Sequence, residues 1–224
     1  MSCIKKENKN KVTAQPSASI YHERQVKEMC ALHALNNLFQ DEAAYSKKDL
    51  DAICNRLCPD SYLNPHRSIL GLGNYDVNVI MAALQSKECE AVWFDKRRDL
   101  RSLVFDNIKG FILNLPSEMK WGMLKLPIHR KHWICIRQIN SAYYNLDSKL
   151  DAPKLIGSEE DLYSYLDKEI RSKDTELLLV VEKHVSDRGA WKYDTVDSDA
   201  SGISQTTAST TMVQNGFAAN CDKA

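Results

Sequence analysis

An α+β fold is predicted for this chain by three features: apolar residues at helical spacing in its first part, β-rich runs in its second, and two of those runs separated by a two-residue turn signal. The 224 residues begin with a polar Lys-, Asn- and Ser-rich stretch, 1–19, which has no periodicity and is expected to be a flexible arm. A helix is expected over 29–39, where Leu32, Leu35, Leu38 and Phe39 share one stripe. Ser46 and Asp49 form a capping-box pattern that opens a second helix over 47–57, and Pro59 ends it. Residues 59–75 carry Pro, Asn, His and Gly and read as a loop or a short second arm. Asp76 can cap a helix over 77–87 with Val77, Ile80, Met81 and Leu84 on its buried face.

The strands follow. Residues 90–95 are β-rich, 96–107 suit a short helix and turn, and 110–115 form an apolar strand expected to stop at Pro116. The runs 132–139 and 142–148 flank Asn140-Ser141 and are expected to pair as an antiparallel hairpin. Ser158-Glu-Glu-Asp161 repeats the capped-start pattern and opens a helix to about 170, and 176–181 reads as a last central strand. Beyond it the composition changes: eight residues between Ser198 and Thr211 are Ser or Thr, so 185–224 is expected to be a disordered tail. The folded domain is thus placed at 20–184, long enough to bury its core without staples.

Composition excludes several functions. Thirty Lys and Arg balance thirty Asp and Glu, so no basic face supports nucleic-acid binding. No apolar run approaches a membrane span and no export signal is read at the start. The seven scattered cysteines are therefore expected to be reduced thiols in a cytosolic protein. Cys54, Cys58 and His66 supply only half of a zinc-type pattern, so no metal is expected.

One cysteine stands apart. Cys30 opens the first helix, where the positive end of the macrodipole and unpaired backbone amides favour the reactive thiolate. Gln25, just upstream, could donate to an oxyanion together with the Cys30 amide. With Asn140-Ser141 as a two-residue turn, Asp147 falls opposite Ile134 and becomes a same-face diagonal neighbour of His132, roughly 7–8 Å away between Cα atoms. That is close enough for a carboxylate to orient an imidazole. His33, also near Cys30, is read as a packing or helix-bonding residue rather than a base, and Asn36 and Asn37 as bonding neighbouring loops. Trp93, Trp121 and Trp133 are read as core or cleft-wall residues.

These residues resemble the Josephin family. Tyr21-His-Glu-Arg-Gln25, Cys30-Ala-Leu-His33-Ala-Leu-Asn36-Asn37, Gly73-Asn-Tyr-Asp76, His132-Trp133 and Tyr143-Tyr-Asn-Leu-Asp-Ser148 look like its motifs, and the likeness covers about 20–182. It is greatest to the short Josephin proteins. The resemblance implies a papain-like cysteine protease fold, with a helical-hairpin arm at about 41–73 beside a mostly antiparallel sheet. It implies hydrolysis of bonds at the ubiquitin C-terminus with Cys30 as nucleophile, His132 as base, Asp147 as orienting residue and Gln25 as oxyanion donor. It further implies ubiquitin contacts at Val77, Asn78 and Trp133, ubiquitinated proteins as partners, a monomer, and no cofactor. Two other functions remain open: a catalytically silent ubiquitin-binding module, and a papain-type acyltransferase or peptidase.

Overall fold

The computed structural model describes residues 19–59, 64–68, 73–121 and 124–193. Helices α1 Cys30–Phe39, α2 Lys47–Leu57 and α3 Val77–Gln85 come first. Strands β1 Cys89–Trp93, β2 Gly110–Trp121, β3 Leu124–Ile139, β4 Ala142–Asn145 and β5 Lys154–Gly157 follow, with two short 3-10 turns, Leu100–Ser102 and Phe105–Asn107, between the first two. Helix α4 Glu159–Ile170, strand β6 Glu176–Glu182 and helix α5 Lys183–Arg188 complete the described chain. The six strands form one antiparallel sheet in the order β1-β6-β2-β3-β4-β5. This is the α+β, papain-like class the sequence predicts. Among the described residues no helix is long and apolar enough to cross a membrane.

Period-two alternation along the strands divides the core. Ile112, Cys135, Leu178 and Val180 face α1, α2 and α3. Phe111, Leu113, Ile134, Ile136, Leu177, Leu179 and Val181 face the other way and pack with Leu162, Leu166 and Ile170 of α4 and Val185 of α5. At Gly110 an added Cβ would lie 2.5 Å from a Leu38 methyl and 2.8 Å from the Ile136 carbonyl, so the missing side chain is what lets α1 lie directly on the sheet.

Local chemistry explains the helix starts. Ser46 and Asp49 make a complete capping box before α2, and Ser158 and Asp161 make another before α4. Asp76 Oδ1 accepts the Val79 amide at 3.2 Å and caps α3. That helix stops two residues earlier than expected, where the Ser86 hydroxyl donates back to the Ala83 carbonyl at 2.6 Å. The β3–β4 turn is Asn140-Ser141, both with positive φ (51° and 65°), the conformation of a type I′ hairpin. The register from Ile139↔Ala142 to Ile136↔Asn145 is the one this turn predicts.

Four elements differ from the sequence reading. α1 is not buried along a single stripe; nine of its ten residues are buried, including His33, Asn36 and Asn37. β2 does not stop at Pro116, which pairs with Lys131 as the β2–β3 ribbon runs on to Trp121. β6 leaves β2 at Asn114, so the proline sits where the strand has only one neighbour, and that position tolerates it. β5 was not foreseen; it is a four-residue edge strand with Leu155 58 % exposed. The tail expected from 185 begins inside α5, whose Val185 is buried, and the Tyr193 amide still donates to the Ser102 carbonyl at 2.8 Å. Residues 1–18 and 194–224 lie outside the described residues.

Of the expected hairpin arm at 41–73, the described part contains α2; residues 60–63 and 69–72 lie outside it. Trp93 is not a core residue but stands 46 % exposed at the end of edge strand β1. Cys30, Cys54, Cys89 and Cys135 are free thiols, and Cys3 and Cys221 lie outside the described residues.

Candidate active site

Cys30 is the first residue of α1, and Met29 before it provides no side-chain cap. The thiol therefore lies at a helix start whose amides have no capping side chain to compete with it. Only 5 % of Cys30 is exposed. The turn leading into it lies against the approach to α3: the Asn74 amide donates to the Glu28 carbonyl at 2.8 Å. Gly73, at φ +112°, makes this possible, because a Cβ there would come within 2.6 Å of that carbonyl oxygen.

His132, 5 % exposed, lies on β3. Its Nε2 is 2.6 Å from Asp147 Oδ1, and the Cys30 side chain lies near enough to the ring to favour its charged form. With Nε2 committed to the carboxylate, Nδ1 is the nitrogen left for sulfur. Burial alone would lower the imidazolium pKa, but the bond to Asp147 and the neighbouring Cys30 side chain outweigh it and hold His132 above its ordinary value. Burial likewise pushes the Asp147 carboxyl up, and the bonds from His132 and the Lys149 amide outweigh that and hold it below its ordinary value.

The convergence of these distant residues has an identifiable cause. β4 leaves the ladder after Asn145, whose Oδ1 accepts the Asp147 amide at 2.8 Å and bends the chain. The next residues are tied to the start of the molecule: Asn37 Nδ2 donates to the Leu146 carbonyl at 2.9 Å and the Gln25 amide to the Ser148 carbonyl at 2.7 Å. His22 Nε2 is also 3.0 Å from the Asp147 carbonyl. α1 and the segment before it thus hold both the thiol and the carboxylate-bearing turn. The motif blocks contain these residues, but no sequence spacing links 22 or 37 to 146–148; an Asn-x-Asp turn signal was the one cue available.

Gln25 is placed beside this group with its amide engaged elsewhere. Its Nε2 donates to the Lys27 carbonyl at 2.8 Å, and its buried Oε1 has no partner. Val77 and Asn78, half-buried at the start of α3, lie next to the capping residue Asp76. Trp133, read as core or cleft wall and implied as a ubiquitin contact, packs in the core. It is 5 % exposed, and its indole N–H donates to the Tyr75 carbonyl at 3.0 Å, fastening the start of α3 to β3 beside His132. Among the described residues no group of three or more His, Cys, Asp or Glu is placed to hold a metal.

The chain was compared with known proteins. The Josephin family model matches residues 25–181. Human Josephin-2 is 52 % identical over 179 residues, covering 80 % of this chain and 95 % of its own. A Josephin-like protein of Drosophila melanogaster is 53 % identical over 165 residues, covering 73 % of this chain and 74 % of its own. Human ataxin-3 is 26 % identical over 156 residues, covering 62 % of this chain and 39 % of its own. The match spans α1 through β6 and takes in every residue of the candidate site, so the chain belongs to the Josephin family.

Proposed function

We propose that the protein is a cysteine-dependent deubiquitinase that hydrolyses peptide or isopeptide bonds at the C-terminus of ubiquitin. Membership of the Josephin family supports a deubiquitinase-type function. The observation that supports the finer reading is the His132 Nε2–Asp147 Oδ1 contact of 2.6 Å, with the Cys30 side chain beside the same ring. A thiol, an imidazole and a carboxylate in series are the components of acyl transfer through a covalent intermediate.

In this reading the Cys30 thiolate attacks the carbonyl carbon of the terminal ubiquitin residue. The C–S bond forms and the carbonyl pair moves onto oxygen. The Cys30 amide donates to that oxygen, and the Gln25 amide joins it after leaving the Lys27 carbonyl. Collapse of the adduct breaks the C–N bond, and His132 gives its proton to the departing lysine amine. A thioester remains. Water then loses a proton to His132 and attacks the thioester, and the thiolate leaves. Asp147 keeps the ring oriented and its charged form stabilised in both halves. Val77 and Asn78, beside the cleft, are proposed as ubiquitin contacts; the protein is further proposed to act as a monomer in the cytosol.

Covalent labelling with ubiquitin bearing a C-terminal electrophile tests this. Label is expected on Cys30 and lost in Cys30→Ala, and a ubiquitin C-terminal fluorogenic amide should turn over far better than a short tail peptide, because the folded body of ubiquitin supplies binding energy. Wild-type turnover by Cys30→Ala would overturn the assignment. Equal use of the peptide would favour a general peptidase, and absence of both label and turnover a silent binding module.

A further inference from the structure

Beneath the segment that leads to the thiol lies a buried polar cluster that the proposed mechanism leaves unused. The Glu23 carboxylate accepts the Tyr21 hydroxyl at 2.5 Å, Asn36 Nδ2 at 2.8 Å and His33 Nδ1 at 2.5 Å. The Glu23 amide donates to Asn37 Oδ1 at 2.6 Å. His33 lies in α1, three residues after Cys30, and is buried. Its second nitrogen, Nε2, accepts the Val26 amide at 3.2 Å.

Counting donors fixes the state of this ring. A backbone N–H can only donate, so Nε2 is bare; the neutral ring then carries its proton on Nδ1, where it meets the carboxylate. Glu23 is suited to hold that proton in place. Burial alone would raise its carboxyl, but the bonds from His33, Tyr21 and Asn36 outweigh it and keep the carboxyl below its ordinary value. With both nitrogens occupied, His33 has none free to accept the Cys30 proton. It is not a second base.

Its position gives it another role. The Gln25 amide is fixed to the Ser148 carbonyl on one side, and the next amide, Val26, is fixed to His33 on the other. These two consecutive bonds set the backbone of the residue proposed to meet the oxyanion. The Val26 side chain is exposed and cannot hold the segment by packing. We propose that Glu23 and His33 act as a positioning dyad, which fixes the Gln25–Val26 backbone so that the Gln25 amide can reach the oxyanion. The proposal rests on the deubiquitinase reading of Gln25. Neither residue of the dyad touches substrate; both act through the amide of Val26.

The test compares His33→Ala, which removes the acceptor, with His33→Gln, whose side-chain oxygen can take the place of Nε2. With the ubiquitin fluorogenic amide, His33→Ala is expected to lower kcat about tenfold at unchanged KM, a fraction of what loss of a whole oxyanion donor costs. The electrophile should still label Cys30 in this variant, and the alkaline limb of the pH–rate profile should stay in place, since thiol and base are intact. His33→Gln should recover kcat to within about threefold of wild type. In the wild-type protein, 15N shifts of the His33 ring should report Nδ1 protonated and Nε2 bare. Unchanged kcat in His33→Ala, a protonated Nε2, or a displaced alkaline limb would each overturn the proposal. Should His33→Ala not fold, the Gln variant and the ring shifts decide. A wild-type protein that neither labels nor turns over removes the deubiquitinase reading itself, a result distinct from a loss confined to the His33 variants.

Discussion

The face of the sheet under α4 and α5 and the face under α1 are packed in different ways. On the first, Phe105, Phe111, Leu113, Ile134, Leu166 and Leu179 meet in an apolar core, and buried Asn145 donates to the Tyr165 hydroxyl of α4 at 3.1 Å at its edge. On the second, α1 buries His33, Asn36 and Asn37 among its leucines, and each bonds a segment crossing over the helix. Apolar burial is non-directional: it stabilises a fold in proportion to area and tolerates small shifts. Buried hydrogen bonds contribute less net stability but are expensive when unmade, so they fix position. The candidate site lies where position is fixed. Both faces bury apolar cores that hold the molecule folded, and the α1 face in addition holds Cys30, His132 and Asp147 in position.

The largest effect that could break this division is on chemistry alone. Cys30→Ala is expected to lower turnover of a ubiquitin C-terminal amide by about four orders of magnitude or more. The same variant should melt close to wild type, because the change removes one sulfur from a residue at the end of its helix. A large drop in melting temperature would mean that the Cys30 side chain is itself a structural element of that face.

The opposite experiment belongs to the apolar face. Phe111 is almost fully buried and meets the Phe105 ring edge-on with centroids 5.6 Å apart. Phe111→Ala should cost about 3–5 kcal/mol in urea unfolding. Turnover per folded molecule should not change. A fall in kcat measured on the folded fraction would show that the site senses packing across the sheet.

How much of this was readable in advance depended on whether the governing interaction was local. The starts of α2 and α4 were legible because their capping partners, Ser46 with Asp49 and Ser158 with Asp161, are three residues apart. The approach of Asp147 to His132 was legible in part: the two-residue turn fixes register as far as Ile136↔Asn145, and the bend after Asn145 does the rest. The burial of Asn37 was not, since its partner is the Leu146 carbonyl across the fold. The run of β2 past Pro116 depends on where β6 ends, and α5 is a single short helix before the compositional change. Trp133 was left between core and cleft wall because a tryptophan beside a candidate histidine fits either; the Tyr75 carbonyl that takes its N–H decides for the core. Gln25 was foreseen near the site, but its bond to Lys27 depends on a rotamer that no spacing encodes.

A smaller effect separates orientation from nucleophilicity. Asp147→Ala should lower kcat on the order of a hundredfold, less than His132→Ala, since an orienting residue contributes less than the base it serves. The two variants also differ in pH dependence. Asp147 helps to hold the His132 imidazolium above its ordinary value, so its removal lets the ring lose its proton at lower pH. The alkaline limb of the pH–rate profile should therefore move towards acid. A limb that stays in place would mean that Asp147 does not govern the charge of His132.

The smallest effect concerns stability on the polar face. Glu23 has a folded-state pKa below its ordinary value of 4.5, held there by His33, Tyr21 and Asn36 against the opposing effect of burial. The sign follows from linkage: a carboxyl with a lowered folded pKa contributes stability that is fully present above its unfolded value and is lost as pH falls through the folded one. Glu23→Gln keeps one acceptor oxygen, turns the other into an NH2 donor, and removes the charge and the titration. At neutral pH the variant should be less stable by about 1 kcal/mol, the difference between charge-assisted and neutral hydrogen bonds. Below the ordinary carboxyl value that difference should shrink, because the wild-type protein loses its charge as well. Asp147 titrates in the same direction but is present in both proteins, so subtracting one stability curve from the other isolates Glu23. A difference that stays constant from neutral to acid pH would mean that the Glu23 carboxylate does not anchor the segment through its charge. The polar face would then hold position by neutral hydrogen bonds alone.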